Sequence, residues 1–182
     1  MTDNSKNPAY SKNVLEMILV ANEYCKFIED AEKYSKEEIL NYLQKVCPLL
    51  YLKGSLLPDI KLESNKFCER FVTEEHWEKI FISIKEKLKE DNEFWKTSDV
   101  KSKDEIPVKT SIAEEVADIY QDLKDFIILY QKNSKSYKES AVAECNFFFK
   151  RHWGIKVNRI INVVHHIIYK KIIEGDNYMY FD

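Results

Sequence analysis

The chain has 182 residues, 45% of them hydrophobic and 32% charged, and a formal charge of −3 at pH 7. That length suits one domain whose core needs neither disulfide nor structural metal, and the composition excludes a disordered tail. No run approaches the roughly 18 apolar residues that span a bilayer, and the opening MTDNSKNPAYSKN lacks the apolar stretch of a signal peptide, so the expectation is a cytoplasmic protein without membrane insertion.

Three glycines and four prolines favour long, uninterrupted helices. Residues 1–10 read as a flexible arm. Ser11 is the expected N-cap of a helix reaching about Glu32, with Leu15, Ile18, Leu19, Tyr24, Phe27, Ile28 and Ala31 on a broad apolar surface that Asn22 and Glu23 interrupt. Ser35 and Glu38 have capping-box spacing and open a second helix through Ile39, Tyr42, Leu43 and Val46; the short connection makes the two antiparallel neighbours. Cys47-Pro48 predicts an end or a kink, because proline lacks an amide donor and restricts the residue before it. A turn through Leu49–Leu52, terminated by Gly54, then leads into GSLLPDIKLESNKF, a loop packed by hydrophobic anchors.

Thr73 caps the next helix, with Glu74 and Glu75 at the positive end of its dipole and Trp77, Ile80, Phe81, Ile84 and Leu88 on its buried side. Phe94 and Trp95 anchor the chain before TSDVKSKDEIPVK, which reads as the most mobile internal stretch. A central helix from about Ser111 to Gln131 carries Ile112, Val116, Ile119, Leu123, Phe126, Ile127 and Tyr130 at helical spacing, beside a broken acidic band of Glu114, Glu115, Asp118, Asp122 and Asp125. After the turn NSKS a helix spans about Tyr137 to His152, with Gly154 as its C-cap, and a last helix begins near Lys156. The fold class is therefore all-α: an irregular single-domain bundle of about six principal helices with short additional turns, covering 11–173, and a C-terminal tail at 174–182.

Cys25, Cys47, Cys68 and Cys145 are widely separated, which suits small core side chains and lacks the close pairs of a four-cysteine zinc site. The acidic band is the first place to look for chemistry. Helix positions three or four apart share a face, so Glu114, Glu115, Asp118 and Asp122 have the spacing to approach one divalent cation, with Glu23 as a neighbour from the first helix. EExxD resembles one half of the metal-binding signature of the all-helical nucleoside triphosphate pyrophosphatases, EExxE followed by ExxD on a neighbouring helix. Glu139 and Glu144 do not supply that second half. Under this reading Glu115, Asp118 and Asp122 are catalytic candidates in a nucleotide pyrophosphohydrolase using Mg2+ or Mn2+. The competing reading is an acidic face that is solvated or paired with Lys and Arg.

His165 and His166 diverge by about 100° on a helix. His165 falls with Ile161, Ile168 and Ile172 and is expected as a core histidine hydrogen-bonded within the bundle. His152, after Lys150-Arg151, reads as a helix-end residue satisfying terminal carbonyls. Residues 1–131 hold 19 basic against 26 acidic side chains and residues 132–171 hold 9 against 2. This asymmetry either closes the domain on itself or leaves a positive surface for an acidic partner. Lys150, Arg151, Trp153, Lys156 and Arg159 are the candidates for such an interaction surface.

Three segments, NVLEMILVANEYCKFIEDAEKYSKEEILNYLQKVCPLLYLKGSLLPDI, RFVTEEHW and ADIYQDLKDFIILYQKNSKSYKESAVAECNFFFKRHWG, in that order, resemble the DUF5063 family of uncharacterised, mainly bacterial proteins. The resemblance covers most of 13–170 and implies an all-helical domain, with no active site to transfer. The preferred expectation is a non-catalytic cytoplasmic interaction or scaffold module with no cofactor, binding an unidentified protein partner in a groove bordered by the final two helices. The alternatives are the carboxylate-dependent metal enzyme and a nucleic-acid-associated protein using the basic C-terminal helices. Nothing in the sequence selects an oligomeric state.

Overall fold

A computed structural model describes residues 7–62, 70–96, 106–173 and 175. Its order is α1 (Lys12–Glu29), α2 (Lys36–Ser55), α3 (Glu74–Leu88), β1 (Glu93–Lys96), β2 (Val108–Ser111), α4 (Ile112–Gln131), α5 (Lys135–Phe148) and α6 (Gly154–Ile173), with short 3-10 turns beside α1, α2 and α3. The all-α bundle and its six principal helices match the sequence expectation. Among the described residues no helix is long and apolar enough to cross a membrane.

Local chemistry sets the starts of these helices. Ser35 and Glu38 form a reciprocal capping box at α2, and the Thr73 and Ser111 hydroxyls accept from the third amide of α3 and α4. Lys89 ends α3 at φ 52°, a left-handed conformation that a non-glycine residue rarely adopts. α1 and α2 are antiparallel neighbours: Glu16 pairs with Lys53 at 2.7 Å, and Phe27 stacks between Tyr34 and Tyr42. Their outer surface leaves Leu15, Leu19, Leu49, Leu52 and Leu56 exposed.

α4 is the centre. It packs against α1, α3, α5 and α6, and 14 of its 20 residues are buried. Two tyrosines tie it to the start of the chain: Tyr24 donates to the Val116 carbonyl at 3.0 Å, and Tyr130 donates to the Ala9 carbonyl at 2.8 Å. α2 lies along α6, where Gly54 meets the Trp153 indole so closely that an added Cβ would sit 2.4 Å from the ring.

Several expectations are corrected. α2 runs through Pro48 without ending, because the proline sits on the solvent side of a helix whose opposite face is held by Leu43, Val46, Cys47 and Leu50. Gly154 does not end the helical run. α5 passes into α6 through a π-helical turn, Phe149–Trp153, closed by the Gly154 amide on the Phe149 carbonyl, and an added Cβ on Gly154 would lie 2.4 Å from that carbonyl. Residues 93–96 and 108–111 form an antiparallel pair, Glu93 opposite Ser111 and Lys96 opposite Val108. In the N-terminal arm, Pro8–Tyr10 form a turn with Ala9 fully buried. Leu57 and Ile60 are hydrophobic anchors of the loop after α2, as expected. The rest of that loop (63–67), Cys68, most of the stretch read as mobile (97–105), residues 1–6 and most of the tail lie outside the described residues; Cys25, Cys47 and Cys145 are buried and unbridged.

Candidate functional site

Four carboxylates of α4, Glu115, Asp118, Asp122 and Asp125, follow one another at intervals of three, four and three residues, the spacing of a single stripe on a helix. On a helix buried over most of its circumference that stripe has little access to water. Glu115 is fully buried, and Asp122 and Asp125 are nearly so. A buried carboxylate requires a cation or several hydrogen bonds, and each of the four has them.

Glu115 Oε1 takes Lys96 Nζ from β1 at 3.1 Å and Arg159 Nη1 from α6 at 3.2 Å. Its Oε2 is buried with no hydrogen-bond partner among the described residues. Asp118 accepts the Trp77 indole N–H of α3 at 2.9 Å and Lys156 of α6 at 2.7 Å. Arg70 bridges the next two carboxylates, Nη2 to Asp122 at 2.9 Å and Nη1 to Asp125 at 3.0 Å, with its guanidinium 4.5 Å from the centre of the Phe148 ring. Burial works against the Arg70 charge, but the Asp122 and Asp125 carboxylates outweigh it and raise its pKa above the ordinary value. Asp122 also holds His152 Nδ1, 2.5 Å from its Oδ2, and Asp125 accepts the backbone amides of Phe71 and Val72 at 2.8 and 2.9 Å. The stripe is thus a ladder of ion pairs joining α4 to α6, to β1 and to the chain before α3.

A second network lies across the α1 side of α4. Tyr120 and Lys124 both donate to Glu29 Oε1 at 2.7 Å, and His76 Nε2 is 3.2 Å from the Tyr120 hydroxyl. Burial opposes ionisation of Glu29, but the hydrogen bonds from Lys124 and Tyr120 hold its carboxyl below the usual range.

The metal candidates are not brought together. Glu114 is exposed and accepts from the Thr110 hydroxyl, Glu23 is exposed on α1 with Lys26 at 3.6 Å, and Glu115 and Asp118 are each occupied by cations. No group of three metal-ligating side chains converges among the described residues. The catalytic candidates Glu115, Asp118 and Asp122 share the stripe but point at different partners. Of the proposed interaction residues, Lys150 and Arg151 are exposed, Lys150 beside Asp59 and Arg151 over the Phe147 ring. Trp153 and Lys156 are buried, and Arg159 is part-exposed with its guanidinium on Glu115, so the five do not form one outer surface on the basic pair.

The core assignment of His165 is also corrected. The buried edge of α6 is Trp153, Val157, Ile160 and Val164; His165, one position on, is exposed and leans on the Tyr169 ring. The histidine that meets the acidic stripe is His152, part-exposed, which the π-helical turn places against Asp122. The sequence placed Trp77 on the buried side of α3 without a role at the stripe and did not single out Arg70 or Lys96, whose only signal was indirect: a buried acidic stripe demands cations and donors from other elements.

Beside this ladder an open groove of about 450 Å3 lies between β1 and α6, lined by Phe94, Trp95, Lys96, Ile155, Asn158, Arg159, Asn162 and Val163. Trp95 is 68% exposed. Lys96 and Arg159 connect the groove floor to Glu115.

The model of the family described as Domain of unknown function (DUF5063) matches residues 8–170. Among solved structures, the crystal structure of protein BF1032 from Bacteroides fragilis is similar, with a TM-score of 0.79 and 32% identity, over 90% of this chain and 96% of that chain. A comparison with curated proteins finds no match.

Proposed function

The chain belongs to the DUF5063 family, whose description names no function, and from the surface of the fold we propose that it is a cytoplasmic, non-catalytic protein-interaction module that receives its partner in the groove between β1 and α6. The observation that carries this reading is Trp95, 68% exposed on the rim of an open groove in which Ile155 is also exposed. Large aromatic side chains beside aliphatic ones are the anchors on which interfaces concentrate their energy. The charged groups support the same reading from the other direction, since every carboxylate of the α4 stripe is engaged by a cation of the fold itself.

The test is quantitative affinity capture from native lysate with three tagged forms: wild type, Trp95→Ala in the groove and Leu19→Lys on the outer face of α1. A partner enriched by wild type and Leu19→Lys but lost with Trp95→Ala supports the groove. Identical recovery by wild type and Trp95→Ala, or loss only with Leu19→Lys, sinks it.

A further inference from the structure

The groove continues along α6. Val163 also lines a second depression, of about 300 Å3, in which His166, Lys170 and Ile173 stand near Asp91. From Ile155 to Ile173 the two follow one flank of the helix for roughly 27 Å at about 1.5 Å per residue. That is the length of about eight residues of extended chain.

β1 borders the first part with three consecutive residues, Phe94, Trp95 and Lys96. Successive side chains of a strand point to opposite faces, so three in a row beside one groove mean that the strand turns its edge to it. The sheet has two strands, and this edge of β1 has no strand partner among the described residues. The charge is positive over the first part, where Lys96 and Arg159 share the single carboxylate of Glu115; in the second part Lys170 supplies a cation, while Lys36 stands between Asp91 and Glu90.

The geometry points to an acidic peptide segment in extended conformation as the occupant. Its backbone pairs with the free edge of β1, its apolar side chains rest on Trp95, Ile155 and Ile167, and its carboxylates face Lys170 and the Lys96–Arg159 pair, whose two charges exceed the one of Glu115. This rests on the groove being the contact surface. A peptide is favoured over a nucleic acid because edge pairing uses amides, and because so few uncompensated cations neutralise too few phosphates to hold a strand.

The experiment is an array of random decapeptides probed with the labelled full chain, as wild type, Trp95→Ala and Lys170→Glu, with a thymidine decamer measured in parallel. Matching thermal melts of the variants establish that they remain folded. Peptides that alternate Asp or Glu with aromatic or aliphatic residues should bind about tenfold more strongly than their Lys counterparts. That signal should vanish with Trp95→Ala and fall about threefold with Lys170→Glu. Trp95-dependent binding of neutral or basic peptides overturns the acidic occupant and leaves the groove as a contact surface. Binding of the thymidine decamer above every peptide overturns it in favour of a nucleic acid. An array with no Trp95-dependent signal removes both this inference and the groove itself.

Discussion

With Lys96 and Arg159 both drawn to one oxygen of the fully buried Glu115, removing that carboxylate leaves two neighbouring cations without their shared partner and a void where the buried side chain stood. Glu115→Ala is therefore expected to lower the unfolding free energy by about 3 kcal/mol, read from urea denaturation, with the Glu115→Ala/Arg159→Ala double variant losing less than the two singles together. A loss under about 1 kcal/mol would mean that the pair is solvated. Glu29 gives a pH dependence. Its carboxyl is depressed from the ordinary 4.5, so its ionised form is the one the fold favours: the contribution is present above about pH 4.5 and lost as the pH falls through the lower folded-state value. Glu29→Gln should be about 1 kcal/mol less stable than wild type at pH 7, with the gap closing in acid; a gap that widens below pH 4 contradicts this. The acidic stripe was legible in the sequence as a period. Its partners were not, because Arg70 and Lys96 reach it across 52 and 19 residues of chain, and no local pattern encodes that. His165 was misplaced within α6 itself, where the adjacent stripe of Val157, Ile160 and Val164 is the buried one, while the π-helical turn carried His152 to Asp122.

Helix existence and type were readable because capping and apolar period agreed at Ser35, Thr73 and Ser111. The β pair was not readable. Four residues of strand on each side give too short an alternation to separate from a loop, and the register depends on α4 holding Ser111 in place. Between α2 and α6 the close approach depends on Gly54, whose missing side chain admits Trp153. Gly54→Ala should cost about 1–3 kcal/mol through displacement of the indole, despite the better helix propensity of alanine. A chemical denaturation midpoint unchanged or raised by this substitution would show that the ring yields freely. A second readout is Trp153 itself, whose indole N–H donates to the Cys145 carbonyl at 3.2 Å and whose emission should shift to longer wavelength as the ring is pushed toward water.

Across the whole molecule, Lys156 and Arg159 from the basic segment and Arg70 and Lys96 from the acidic one close on α4, so two of the basic residues that looked available for an acidic polymer are engaged by the fold. The expected consequence is weak, strongly salt-sensitive association with single-stranded nucleic acid, with a Kd above roughly 0.1 mM in about 0.15 M salt. Fluorescence anisotropy with a labelled thymidine 20-mer checks it, and micromolar binding would require cations other than Lys156, Arg159 and Arg70. Several ties of the fold are long in sequence: Tyr24 reaches Val116 across 92 residues, Tyr130 reaches Ala9 across 121, and Gln44 reaches Tyr169 across 125. A ribosome adds about 5–20 residues each second, so Tyr24 waits roughly 5–20 s for the carbonyl it will bond. During that interval α1, α2 and α3 have no central helix to bury their apolar faces. Nascent chains stalled before Ile112 should be bound by holding chaperones and cut readily by protease, whereas release after α6 should bring protection in one late step.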